Sequence, residues 1–260
     1  MRTAVPAVTH IRKRDSLDLP HDRRRTVNSK TCALEFGVAR DVTQIAATIR
    51  AQFPYHRIDL GDGVIIEGQT DPASFLDAYE LPADMTGLTV IDVGTATGFF
   101  ALECAKRGAK VTAIDVIAEC PVRELAKALG VKVRFKQKDI YSLGNVGLFD
   151  LVICGSLLMH LPDPVGAMRA LRKICGHRLI LSASCFEGSE SNPWPLFELV
   201  GVKATEADYW AYWSYSAAGL SKLAQMVDMT VERVAHFTME VHHLNGQLSK
   251  VPHVLISAVV

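Results

Sequence analysis

The run Val90-Ile91-Asp92-Val93-Gly94-Thr95-Ala96-Thr97-Gly98-Phe99-Phe100 constrains this chain more than any other segment. A short apolar run rich in β-branched residues meets a glycine turn and passes at once into a helical pattern that ends at Gly108. That is the opening of a βαβ unit, in which a parallel strand feeds a right-handed helical crossover. The rhythm then repeats. Residues 110–115, 132–136, 149–154 and 177–182 read as further strands, with helices over 98–107, 121–129 and 165–174 between them. A helix over 217–226 and strands at 231–237 and 253–260 complete the pattern, with Asn245-Gly246 as a turn. The fold class this implies is α/β, a doubly wound and mostly parallel sheet covered on both faces.

With 260 residues, 49% of them hydrophobic, the chain suits one α/β domain with extensions better than two thin ones. Residues 85–260 make the main domain, interrupted near 186–216 by an aromatic-rich insertion. Residues 36–84 form an extension: a helix over 37–53, a hairpin turning at Gly61-Asp62-Gly63, and a short helix over 72–79 that Asp71 caps. This extension is placed to act as a lid. Residues 1–35 read as a basic, flexible arm.

Formal net charge is zero but uneven. The first 30 residues hold eight Arg or Lys against three Asp, a surplus of five that residues 31–260 must offset. A nucleic-acid enzyme spreads its basic surface over the body, because phosphate neutralisation supplies much of its affinity. Here only the arm is basic, which suits a solvated terminus, with RNA or oligomer contacts as the alternatives. The six cysteines show no Cys-x-x-Cys pair and several sit in apolar runs, as reduced core cysteines do, so no metal is expected. No apolar window approaches membrane-spanning length, and a soluble cytoplasmic chain is the expectation.

The glycine turn is where a ligand belongs. Gly94 permits a tight turn with Thr95 behind it, and Gly98 permits close passage of backbone and ligand at the helix start. There is no Gly-x-Gly pair to admit a pyrophosphate, which argues against a nicotinamide cofactor. Asp92 is a carboxylate inside an apolar strand and needs donors, either an ammonium or backbone amides. Asp115 ends the next strand, 21 residues after Gly94, where an acid can accept both hydroxyls of a ribose, with Val116 following. Asp139 and Ile140 follow the third strand, where an adenine edge would lie. Each signal alone has a bland reading, a turn glycine or a capping acid; their joint spacing favours a nucleoside.

Residues 90–115, with Asp139 and Gly155-Ser156-Leu157, resemble the motifs of class I S-adenosylmethionine-dependent methyltransferases. The resemblance covers residues 85–185 and implies S-adenosyl-L-methionine as the donor, a Rossmann-like methyltransferase sheet and an antiparallel terminal strand. It implies that the glycine turn, with Phe99 at the helix start, holds the amino-acid end of the donor. It also implies that Asp115 holds the ribose and that Asp139 with Ile140 lies by adenine. A narrower similarity, carried by Phe53-Pro54-Tyr55-His56 and Leu60-Gly61-Asp62-Gly63, is to the branch of the tRNA wobble-uridine carboxymethyltransferase. That branch often has Tyr-His-Arg after its fourth strand; this chain has Met159-His160-Leu161, lacking the arginine that helps hold a carboxylated donor.

Methyl transfer asks a protein mainly for proximity and orientation, and for a base where the nucleophile is a hydroxyl. His160, just beyond the fourth strand, is a candidate base or substrate contact, or else a residue that fixes the loop. Tyr55 and His56 are candidates in the lid. The absence of an Asn-Pro-Pro-Tyr sequence after the fourth strand argues against a DNA-adenine acceptor. Trp194, Trp210, Trp213 and Tyr215 in the insertion are candidate substrate walls, since aromatic side chains give rigid apolar surfaces with polar rims. The leading expectation is methyl transfer to a small acceptor, aromatic or amino-acid-like. The alternatives are a tRNA-modifying transferase, intramolecular cyclisation or cleavage of the donor, and a binding module without catalysis. A homo-oligomer is left open.

Overall fold

The computed structural model describes residues 35–52, 55–200, 211–243 and 245–260. The basic arm and Trp210 therefore lie outside the described residues. In chain order come α1 (Glu35–Gln52), a small hairpin of β1 (Ile58–Asp59) and β2 (Ile65–Ile66), and a 3-10 helix over Pro72–Tyr79. The winding core follows: β3 (Thr89–Val93), α2 (Phe99–Lys106), β4 (Lys110–Asp115), α3 (Val122–Ala128), β5 (Val133–Gln137), β6 (Phe149–Gly155), α4 (Pro164–Ile174) and β7 (Cys175–Ser184). The chain ends with β8 (Phe197–Leu199), β9 (Trp213–Tyr215), α5 (Ala217–Gln225), β10 (Thr230–His242) and β11 (Leu248–Val259).

Seven strands form the central sheet in the order β10-β11-β7-β6-β3-β4-β5. The pairs from β7 to β5 are parallel, while β11 runs antiparallel to both β7 and β10. The α/β class and the antiparallel terminal strand are as expected from sequence. Val90–Val93 and Val111–Asp115 are buried throughout, which is why these strands read as apolar runs rather than alternating ones. One face is covered by α2 and α3, with Val42, Ala46 and Ile49 of α1, and the other by α4 and α5. The strand β10 instead alternates between exposed and more buried residues, the signature of an edge strand covered on one face.

Caps set several of the boundaries. Asp71 accepts from the Ala73 N–H, Asp163 from the Gly166 N–H and Ser216 from the Gly219 N–H, each satisfying a donor at a helix start. Two features differ from the sequence expectation. The strands β10 and β11 run to 13 and 12 residues, because the alternation continues through Thr238-Met239-Glu240-Val241. The insertion contains a strand pair, β8 with β9, and Tyr215 also bridges to Cys185 at the end of β7. Among the described residues, no helix is long and apolar enough to cross a membrane.

Candidate donor and acceptor site

The chain leaves β3 towards β4 on one side, and β6 later pairs on the other side, which opens a crevice at the carboxyl ends of these strands. A cavity of about 380 Å³ lies there. Its floor is the turn Gly94-Thr95-Ala96 and the end of β4, Asp115-Val116-Ile117. Gly155, Ser156, Leu157 and His160 form one wall; Tyr55, His56, Gln69, Thr70 and Phe75 of the extension form the cover. A second cavity, about 440 Å³, opens at the amino ends of β6 and β7 beside Asp150, His177, Arg178 and Arg233. Its two arginines are already paired with Glu232 and Glu80, and no crossover turn reaches it.

The floor is built by backbone geometry. Gly94 has φ +74°, and the N–H groups of Gly94 and Thr95 both donate to the Ile114 carbonyl. A Cβ on Gly94 would lie 2.7 Å from Leu157 Cδ2, so a side chain here would have to displace Leu157 as well as adopt a left-handed backbone. Ala96 is held in the left-handed region at φ +48°. Its N–H donates to Asp115 Oδ2 at 2.9 Å, while Asp115 Oδ1 accepts from the Ile117 N–H at 3.0 Å. Each carboxylate oxygen keeps a further lone pair for a ligand. Ser156, at φ +51°, is fixed from below, its N–H donating to both the carbonyl and the Oγ of Ser182.

Asp92 is fully buried and outside the cavity lining. Its Oδ2 accepts from Thr95 Oγ1 at 2.6 Å and from the Ala101 N–H at 3.1 Å, tying the turn to α2. Burial pushes its carboxyl up to about 7, against the pull of those two hydrogen bonds. The donors that Asp92 needs are thus a hydroxyl and an amide of the chain itself.

Over the turn, the His56 N–H donates to Thr97 Oγ1 at 3.1 Å, which seats the extension on the glycine loop. The segments around His56 and Thr70 are zipped by Thr70 N–H to Tyr55 O and Arg57 N–H to Thr70 O. Gly68 fits between them because any Cβ would strike the His56 backbone at 2.3 Å. Arg57 pairs with Asp71 and Glu67, and Phe75 stacks on Phe237 of β10 at 4.5 Å. Tyr55 rests on the His56 ring at 4.6 Å, and burial raises its phenol. His56 is almost wholly buried, and that desolvation lowers its imidazole to about 3, so it is neutral at ordinary pH.

Several expected site residues are placed elsewhere. Gly98, at φ +100°, is not among the residues that line the cavity, and a Cβ there would lie 2.4 Å from Val122 Cγ2 of α3. Phe99 faces the core, and its neighbour Phe100 lines the cavity instead, a displacement of one helix position. Asp139 caps a 3-10 turn by accepting from the Tyr141 N–H, and Ile140 is buried in the core beneath α4, so neither borders the cavity. Trp194 is 68% exposed, Trp213 is partly buried and packs against the hydrophobic core, and Tyr215 is fully buried with its hydroxyl donating to the Leu158 carbonyl. None of these three borders the cavity. Among the described residues of the insertion, Tyr215 bridges to Cys185 beyond β7 and the Tyr212 N–H donates to the Met159 carbonyl. His160, half-buried on a 3-10 turn over Leu158–His160, does border it. Lining residues that the sequence did not mark include Ile117, a neighbour of marked Val116, and Thr70 and Met239, which only the tertiary fold brings in.

A family profile described as a methyltransferase domain matches residues 90–177. The ubiquinone biosynthesis O-methyltransferase of Xanthomonas oryzae pv. oryzae is 33% identical over 113 residues, 41% of this chain and 47% of that protein. The protein of the same name from Vibrio campbellii is 35% identical over 116 residues, 42% of this chain and 49% of its own length. The chain thus spans about half the length of the curated relatives it matches. Among solved structures, the magnesium protoporphyrin IX methyltransferase of Synechocystis PCC 6803 with bound SAM has a TM-score of 0.50 at 17% identity, covering 90% of this chain and 86% of that one. A SAM-dependent methyltransferase from Methanosarcina mazei has a TM-score of 0.52 at 20% identity, covering 71% and 96%. Residues 90–177 thus match a methyltransferase-domain profile, and the chain shares the fold of these solved S-adenosylmethionine-dependent methyltransferases.

Proposed function

We propose that the protein transfers a methyl group from S-adenosylmethionine to a hydroxyl group of a small molecule. The observation that carries this is the convergence of the Gly94–Ala96 turn, the Asp115 carboxylate and the His160 ring on one cavity at the switch point of the sheet. The residues present fit the donor: Asp115 offers lone pairs to a ribose, and exposed apolar Val116 and Ile117 offer a surface to a base. His56 Nδ1 and Thr70 Oγ1, buried polar atoms of two residues that border the cavity, have no partner among the described residues. When bound, S-adenosylmethionine supplies an electrophilic methyl on a sulfonium.

The chain's residues orient and exclude water. Tyr55, His56 and Phe75 close the cavity from the extension, which gives residues 36–84 the part of a lid over the catalytic domain, residues 85–260. Proximity of this kind supplies much of a methyl-transfer rate. His160 takes the proton from the acceptor hydroxyl as the new O–C bond forms, the role a histidine fills at neutral pH. The relatives named as O-methyltransferases support an oxygen acceptor. A carboxylated donor and a tRNA acceptor are less well supported, because the described cavity lining holds no Arg or Lys to meet the extra carboxylate.

The test is incubation of the protein with S-adenosylmethionine, alone and with a panel of hydroxylated aromatics, with products read by mass. Growth of an acceptor by one methyl alongside S-adenosylhomocysteine supports the reading. Consumption of the donor without an acceptor would contradict it in favour of intramolecular chemistry.

A further inference from the structure

The extension contributes two polar atoms that nothing among the described residues satisfies. His56 is 7% exposed and Thr70 2%, both border the donor cavity, and both His56 Nδ1 and Thr70 Oγ1 lack a hydrogen-bond partner. Leaving such atoms buried and unpaired is costly, so each is an unexplained feature unless a ligand completes it. The two residues are bridge partners on adjacent chain segments, so they can reach one ligand group together.

Position decides which group. The His56 N–H is bonded to Thr97 Oγ1, and its ring stands edge-on to Phe99, the first residue of α2, so the pair sits directly over the glycine turn. Leu157, His160 and Met239 complete the described lining. A hydroxyl and a neutral imidazole N–H are two uncharged donors, which suit a carboxylate where the described lining offers no cationic Arg or Lys. The donor is a net monocation, and its sulfonium and ammonium balance that carboxylate within the ligand itself.

We propose that Thr70 Oγ–H and the His56 ring N–H bind the α-carboxylate of the methyl donor. The extension is thereby a part of the donor site and not only its cover. This rests on the donor reading given above.

The test is titration calorimetry with two probes: S-adenosylhomocysteine, which has the carboxylate, and 5′-methylthioadenosine, which lacks the amino-acid end. Thr70→Val is nearly isosteric and removes a buried hydroxyl that has no partner, so it should fold. It should weaken S-adenosylhomocysteine about tenfold or more, the usual scale for a hydrogen bond to a charged group, and leave 5′-methylthioadenosine within about twofold. Thr70→Ser should restore binding. His56→Phe, which keeps a ring and removes its nitrogens, should reproduce the selective loss. Unchanged S-adenosylhomocysteine affinity in Thr70→Val, or equal loss of both probes, would overturn the assignment while leaving the donor reading intact. Failure of the unmodified protein to bind either probe would overturn both.

Discussion

A Cβ added to Gly98 would stand 2.4 Å from Cγ2 of Val122, so α2 and α3 meet through a glycine that also carries φ +100°. Any side chain at this position is penalised twice, by the left-handed backbone and by overpacking. Gly98→Ala should lower stability by about 2–4 kcal/mol in urea unfolding. Adding Val122→Ala should recover only part of the loss, because it relieves the contact and not the dihedral.

Asp92 gives the protein a pH-dependent stability term. Its unfolded carboxyl titrates near 3.8, and burial raises the folded value to about 7, so the folded protein holds this proton more tightly. The contribution is full below the lower value, shrinks as pH rises through about 7, and is constant above. Asp92→Asn has no proton to lose. Measured by urea midpoints without donor, the stability gap between the parent and this variant should move in favour of Asn by on the order of 1 kcal/mol or more from pH 4 to pH 8. A gap independent of pH would contradict the burial argument.

His160 borders the cavity without lying in the glycine turn or at Asp115. As the proton acceptor it should matter to turnover and not to donor binding. His160→Asn should reduce kcat about 100-fold or more on a hydroxyl acceptor, with donor Kd changed less than about twofold. Equal losses in both would place it in the donor site instead.

Tyr215 is fully buried and donates to the Leu158 carbonyl at 3.3 Å. Tyr215→Phe should cost about 1 kcal/mol of stability and leave kcat/KM unchanged. A drop in kcat/KM at full folding would return this residue to the substrate wall.

The winding core was legible in the sequence because its central strands β3 and β4 are buried on both faces and every helix is punctuated by Gly, Pro or a capping side chain. Residues 110–115 were readable to the residue, and Asp71 announced the short helix that it caps. The floor of the site was legible for the same reason: a glycine turn and an acid at a strand end are local signals. The cover was less so. Tyr55 and His56 could be marked as lid candidates, yet Thr70 and Met239 reach the cavity only through a bridge and an edge strand that no local pattern records. The aromatic insertion misled in the opposite sense. Tryptophan and tyrosine favour ligand walls and hydrophobic cores alike, and Trp213 and Tyr215 joined the core.

The most direct measurement is calorimetric titration of the protein and of Asp115→Ala with S-adenosylhomocysteine. Asp115 is braced by the Ala96 and Ile117 amides with lone pairs left over, and a ribose diol should use them. The account predicts one site per chain, weakened about 10- to 100-fold in Asp115→Ala, as expected for lost hydrogen bonds to a charged group. No binding to the unmodified protein, or equal affinity in the two, would contradict it.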